Sequence, residues 1–210
     1  MSYASGRTLV ECCRGLGLRP GEARILVVGA FGGRDYFWLR GNGYEHVEIL
    51  DLGHPAWGRA NAVGDAAAEE TWKNLKPGFD LIVLGDVLEH IPDDAQVLRL
   101  AAQATARGGH VYISVPYRHD LEETHVRAYS AGTLPRLLAA TGWEVVWTVE
   151  RPGPLELWPG IINSLNYAMG LALSPIGLGG RILAGALDVE FRLNNLGRPL
   201  ASLWGRHMQR

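Results

Sequence analysis

The chain has 210 residues, 47% of them apolar and 20% charged, with a formal net charge of −2. That length suits one domain with a sizeable core, and the composition excludes a disordered chain. With no overall basic excess and no Lys/Arg cluster, a nucleic-acid partner is not expected.

The N-terminus shows no basic stretch followed by an apolar run, so no secretory signal is read there. Residues 5–17 place Leu9, Val10, Cys13 and Leu16 at helical spacing and end in Gly-Leu-Gly, a helix stop. The chain's two cysteines, Cys12 and Cys13, are neighbours on that helix. Their side chains point apart, so an ordinary disulfide between them is not expected, and lone thiols fit a reducing cytosol. Arg24-Ile-Leu-Val-Val-Gly29 is a short β-branched run and reads as a buried strand. A glycine turn and an aromatic-rich helix over 35–39 follow it. Further strands are expected at 47–51, 60–63, 79–84 and 110–115, then a helix over 131–141 and a sixth strand over 144–149. Strands alternating with helical patterns imply βα units and a mostly parallel sheet covered on both faces.

Beyond Glu150 the texture changes. Arg151-Pro-Gly-Pro and Trp158-Pro-Gly punctuate a loop, and two apolar helical segments follow at 161–173 and 176–191, divided by Ser174-Pro175. A last strand is expected near 203–209. The reading is one domain over 1–210, with 155–191 a helical lid or packing elaboration. No stretch reaches the roughly 18 apolar residues of a membrane span. The expectation is a cytoplasmic chain, and its apolar C-terminal segments leave a homo-oligomer open.

Three features carry chemistry. A glycine-rich turn, Gly29-Ala30-Phe31-Gly32-Gly33, joins the first strand to its helix and allows close approach of backbone and cofactor. Asp51 ends the second strand about twenty residues on, the position from which a carboxylate accepts hydrogen bonds from ribose hydroxyls. Asp65 follows the third strand, within reach of an adenine amino group. On the glycine turn and Asp51 alone a nicotinamide-dependent oxidoreductase fits equally well.

The Asp65 segment Asn61-Ala-Val-Gly-Asp-Ala66, with Phe79-Asp-Leu-Ile-Val-Leu-Gly-Asp-Val-Leu-Glu-His-Ile-Pro92 and Gly108-Gly-His-Val-Tyr-Ile-Ser-Val-Pro116, breaks that tie. Together with the glycine turn, Asp51 and Asp65, they resemble the class I S-adenosylmethionine (SAM) methyltransferases. Within these they resemble the broad group that includes the ubiquinone-biosynthesis O-methyltransferases. The resemblance covers about residues 22–150. It implies a Rossmann-like three-layer α/β sandwich, with SAM as cofactor and a small-molecule acceptor; the apolar segments over 155–191, read as a lid, would cover a hydrophobic or lipid-linked one. It further implies a loop shaped by Gly29, Ala30, Phe31 and Gly33 around the methionine part of SAM. Asp51 would bind ribose, Leu52 would lie against adenine, Asp65 and Ala66 would meet the adenine edge, and Asp86 and Val87 would border the sulfonium. Two positions depart from the family pattern: Val27 stands where an acidic residue is usual, and Phe31 where a glycine is usual.

A base is needed only where the acceptor is a poorly ionised hydroxyl or a protonated amine. His90, His119 and His125 are the candidates. No metal ligand set is expected, since the histidines show no tight spacing on one helix. The expected function is SAM-dependent methyl transfer, with oxygen the expected acceptor atom. The rivals are a non-catalytic SAM-binding or interaction protein, kept open by Val27 and Phe31, and an NAD-dependent oxidoreductase.

Overall fold

A computed structural model describes residues 5–116 and 123–148. In chain order the elements are α1 (Ser5–Gly15), β1 (Arg24–Val28), α2 (Arg34–Gly41), β2 (His46–Asp51), β3 (Ala62–Val63), α3 (Glu69–Trp72) and β4 (Phe79–Gly85). A single 3₁₀ turn (Leu88–His90), α4 (Asp94–Ala104), β5 (Thr105–Ser114) and α5 (Thr133–Ala140) complete them. The strands form one sheet in the order β3-β2-β1-β4-β5, and every pairing is parallel.

The two central strands explain themselves from sequence. Ile25-Leu-Val-Val28 and Leu81-Ile-Val-Leu84 are apolar at successive positions because side chains alternate between two buried faces. Ile25, Val27, Leu81 and Val83 join α1 and α2 through Leu9, Cys13, Phe37 and Leu39. Leu26, Val28, Ile82 and Leu84 join the opposite layer through Trp72, Val97, Leu98 and Leu138. The expected three-layer α/β sandwich is therefore present, with β1 and β4 in its middle. Strand order reverses between β1 and β4, so their carboxyl ends flank the crevice where open parallel sheets bind ligands.

One expected element is absent. Residues 144–148 are irregular rather than a sixth strand, although their sequence is rich in β-branched and aromatic residues. Val145, Val146 and Trp147 are exposed, and among the described residues no strand lies alongside to supply a ladder. Strand propensity reflects packing and pairing more than an intrinsic backbone preference. The fifth strand is longer than expected, starting at Thr105 and pairing with Phe79 across a register shift. The segments at 161–173, 176–191 and 203–209 and the lid over 155–191 lie outside the described residues.

The α1 layer generates a pH prediction. Burial pushes the Cys12 thiol up from 9.0 to about 11 and the Cys13 thiol up to about 12. Burial raises the Tyr44 phenol from 10.0 to about 12. All three hold their protons in the folded chain where an unfolded chain gives them up. Their contribution to stability is whole below about pH 9 and is lost as pH rises toward about 12. Urea denaturation should show a midpoint falling between about pH 8 and about pH 10.5, with a shallower fall in Cys13→Ala. An equal slope in the variant would remove Cys13 from the account.

Candidate functional site

The chain leaves β1 through Gly29-Ala30-Phe31-Gly32-Gly33. Gly29 and Gly33 have φ of 69° and 73°, the left-handed region that side chains disfavour. A Cβ at Gly29 would collide with Val87, and one at Gly33 would stand 2.8 Å from the Trp57 ring. Neither Phe31 nor Gly32 has positive φ. The turn asks for the left-handed region at 29 and 33 and not at 31, the position where a glycine is usual in the family the chain resembles. Phe31 is 85% exposed, so its ring is not core.

The backbone at Phe31 is held from both sides. Its N–H donates to Asp51 Oδ2 at 3.0 Å, and its carbonyl accepts from Trp57 Nε1 at 2.8 Å. The Trp57 ring packs on Tyr36 and Phe37, with centroids 4.8 Å apart in each pair. The Leu52 N–H donates to Asp51 Oδ1 at 2.7 Å. One carboxylate at the end of β2 thus ties together the loops after β1 and β2. An ionised carboxylate offers about four acceptor positions, so roughly two remain for hydroxyls. Leu52 is itself 78% exposed beside it.

Asp51 pairs in register with Val63, which brings Asp65 to the same edge of the sheet. Asp65 is exposed and accepts from Ala67 N at 2.8 Å, closing a turn at the head of the loop. Ala66 is buried, and its carbonyl accepts from Trp72 Nε1 at 2.8 Å.

At the end of β4, Asp86 has φ of 53°, the only described non-glycine residue in that region. Its N–H donates to the Ser114 carbonyl at 2.8 Å, and Ser114 Oγ donates to Asp86 Oδ1 at 3.0 Å. Arg34 Nη1 donates to Asp86 Oδ2 at 3.0 Å, and Arg34 Nε to Asp35 Oδ1 at 3.1 Å. Burial by itself disfavours the Arg34 charge, but the Asp35 and Asp86 carboxylates outweigh it and hold the guanidinium above its ordinary range. Arg34, Asp35, Trp57 and Ser114 escaped the sequence reading. The one available signal was an Arg-Asp pair opening an otherwise aromatic helix directly after a glycine turn.

Past β4, His90 and His125 meet edge to face, 4.7 Å between centroids, although 35 positions separate them. Val126 N–H donates to the Glu89 carbonyl at 2.8 Å and ties the two segments. Asp94, buried on α4, accepts from Arg127 at 2.8 Å and from the Tyr129 hydroxyl at 2.6 Å, which docks the later segment. His90 Nδ1 lies 3.3 Å from the Thr124 carbonyl. A carbonyl can only accept, so in the neutral imidazole this contact favours the tautomer with its proton on Nδ1 and its lone pair on Nε2. The buried Glu89 carboxylate and the two imidazoles bring ligand atoms within 4.8 Å of one another. Such a trio can relay a proton or hold a cation, a grouping that spacing along the chain did not reveal. His119 lies outside the described residues.

The comparisons bear on this geometry. A family model described as a methyltransferase domain matches residues 3–148. The ubiquinone biosynthesis O-methyltransferase of Ralstonia nicotianae is 33% identical over 73 residues, which cover 35% of this chain and 31% of that one. The match thus spans about a third of that relative's length. A SAM-dependent methyltransferase from Archaeoglobus fulgidus superposes with a TM-score of 0.51 at 17% identity, covering 76% of this chain and 85% of that one. Another, from Mesorhizobium loti, gives 0.53 at 20% identity, covering 73% and 88%. At those identities the likeness shows the fold. By the family match, this chain belongs to the methyltransferase domain family, a family of class I SAM methyltransferases whose cofactor is SAM.

Two substitutions test the loop. Phe31→Ala should leave the melting temperature within about 1 °C, because little is buried there. Asp51→Ala removes an acceptor shared by two N–H groups and should cost ~1–3 kcal/mol. Hydrogen exchange at Phe31 and Leu52 should quicken in the second variant. Unaltered protection at both would show that Asp51 does not hold the loops.

Proposed function

We propose that this protein transfers the methyl group of SAM to a small-molecule acceptor, with oxygen as the methylated atom. The observation that carries the reading is the Asp51 carboxylate. It ends β2, has acceptor positions to spare, and ties the loops after β1 and β2 at the carboxyl edge of the sheet, one strand away from the reversal of strand order between β1 and β4. That arrangement suits the diol of a nucleoside. Leu52 would then meet one face of adenine, Asp65 and Ala66 its edge, Gly29, Ala30, Phe31 and Gly33 the methionine part, and Asp86 and Val87 would border the sulfonium.

Methyl transfer is a direct displacement. The carbon–sulfur bond breaks as the carbon–oxygen bond forms, and the electron pair of the broken bond stays on sulfur. Positioning and exclusion of water supply much of the acceleration. The proton of an acceptor hydroxyl needs a base, and His90 Nε2 with His125 beside it is the group we assign to that step. His119 stays a candidate for the same role. The segment 155–191 is the proposed cover over a hydrophobic acceptor, within a single domain that includes the whole chain. No helix among the described residues is long and apolar enough to cross a membrane. A cytoplasmic location is part of this proposal.

Calorimetric titration should show binding of SAM and S-adenosylhomocysteine, and none of NAD or NADP. Asp51→Ala should weaken the first two by ~1–3 kcal/mol. Unchanged affinity would sink the ribose assignment. Transfer of labelled methyl should then be measured against a panel of phenols and alcohols. His90→Gln and His125→Gln should keep S-adenosylhomocysteine affinity within about twofold while the rate falls roughly 10²-fold or more, the scale of lost general-base catalysis. Binding without turnover on any acceptor would favour a non-catalytic SAM-binding protein instead.

A further inference from the structure

We infer that Arg34 and Asp86 together receive the amino-acid end of the cofactor, the guanidinium taking its α-carboxylate and the aspartate its α-ammonium. The inference rests on the reading that the crevice takes SAM. Strand β1 brings no charge to this edge. Ile25 to Val28 are apolar and buried, and Arg24 lies at the opposite end of the strand, bonded to Glu48 and to the carbonyls of Lys76 and Pro77. A zwitterion at the junction of β1 and β4 must therefore find its partners on the turn after β1 and at the end of β4. Arg34 and Asp86 stand there, 3.0 Å apart.

Both groups have unspent capacity. A guanidinium carries five N–H donors. Asp35 takes two of Arg34's, at 3.1 and 3.3 Å, and Asp86 takes one. The Asp86 carboxylate accepts one bond from Arg34 and one from Ser114, about half its capacity. The Arg34 and Asp86 side chains keep 18% and 13% of their surface exposed, so the pair is held in protein yet open on one side. Asp35, almost wholly buried, grips the guanidinium by two nitrogens and fixes its plane. Ser114 fixes Asp86 from the other side. Charges fixed in this way need little reorganisation when a ligand of complementary charge arrives.

The charge count agrees. Asp35, Arg34 and Asp86 sum to one negative charge, two carboxylates against one guanidinium. SAM has one carboxylate, one ammonium and one sulfonium, and so a net single positive charge. An isolated ion pair would offer no such bias.

The test compares S-adenosylhomocysteine with 5′-methylthioadenosine, which keeps the nucleoside and lacks the amino-acid end. Wild-type protein should bind the first at least about tenfold more tightly. Asp86→Asn and Arg34→Gln should each weaken S-adenosylhomocysteine about tenfold or more, with methylthioadenosine within about twofold of wild type. Equal weakening of both ligands, or of neither, overturns the inference and leaves the network a structural tie between α2, β4 and β5. Should either variant fail to fold, Ser114→Ala keeps every charge and loosens Asp86. It should weaken S-adenosylhomocysteine about threefold with methylthioadenosine unchanged, and an equal effect on both again overturns the inference. Wild-type protein that binds both nucleosides equally refutes the amino-acid seat alone. Wild-type protein that binds neither refutes the cofactor reading beneath it.

Discussion

Asp51 accepts two backbone N–H groups from two different loops, and the carboxyl edge of the sheet takes its shape from that arrangement. Without it, the turn after β1 would be tied to the second strand chiefly through the ladder contact of Gly29 with Leu50. With it, Phe31 and Leu52 are held side by side, and Trp57 closes the far side by donating to the Phe31 carbonyl. Hydrogen bonds to an ionised acceptor are roughly twice as strong as neutral ones, so a single side chain can organise two loops that have little packing of their own.

The second organising element is electrostatic. Arg34 sits between two carboxylates at the end of strands that are otherwise apolar, and Tyr112 is buried close by. Burial and the nearby Asp35 charge push the Tyr112 phenol well above its ordinary range, so the ring behaves as a neutral wall. Burying charge is costly unless it is paired and bonded. Here the cost is met by a chain of contacts running from α2 through β4 to β5. The layers of the sandwich are thereby joined at the edge where the crevice opens, and not only through their apolar interior.

Much of this was legible in the sequence. The apolar runs at Ile25 to Val28 and Leu81 to Leu84 read as buried parallel strands because burial on both faces removes alternation. Gly29, Gly33 and Asp51 read as a cofactor edge because each has a backbone or charge requirement that few other residues meet. Residues 144–148 misled because β-branched composition cannot say whether a neighbouring strand is there to pair. Phe31 stood out in the sequence as a departure from the family pattern, and only the backbone shows that its φ is not positive. The Arg34 network and the meeting of His90 with His125 depend on contacts between segments far apart in the chain. The sequence had marked Asp86, His90 and His125 singly, but their partners became visible only in three dimensions.

Phe31 and Leu52 have a thermal consequence. Two large apolar side chains face water on loops that hydrogen bonds keep from folding inward. Their hydration is an unfavourable term that the free protein cannot relieve by collapse. A ligand that covers them removes apolar surface from water, and the enthalpy of its binding then grows more negative with rising temperature. The exposed pair stores part of the driving force for association in the surrounding solvent, where contacts within the protein give no sign of it.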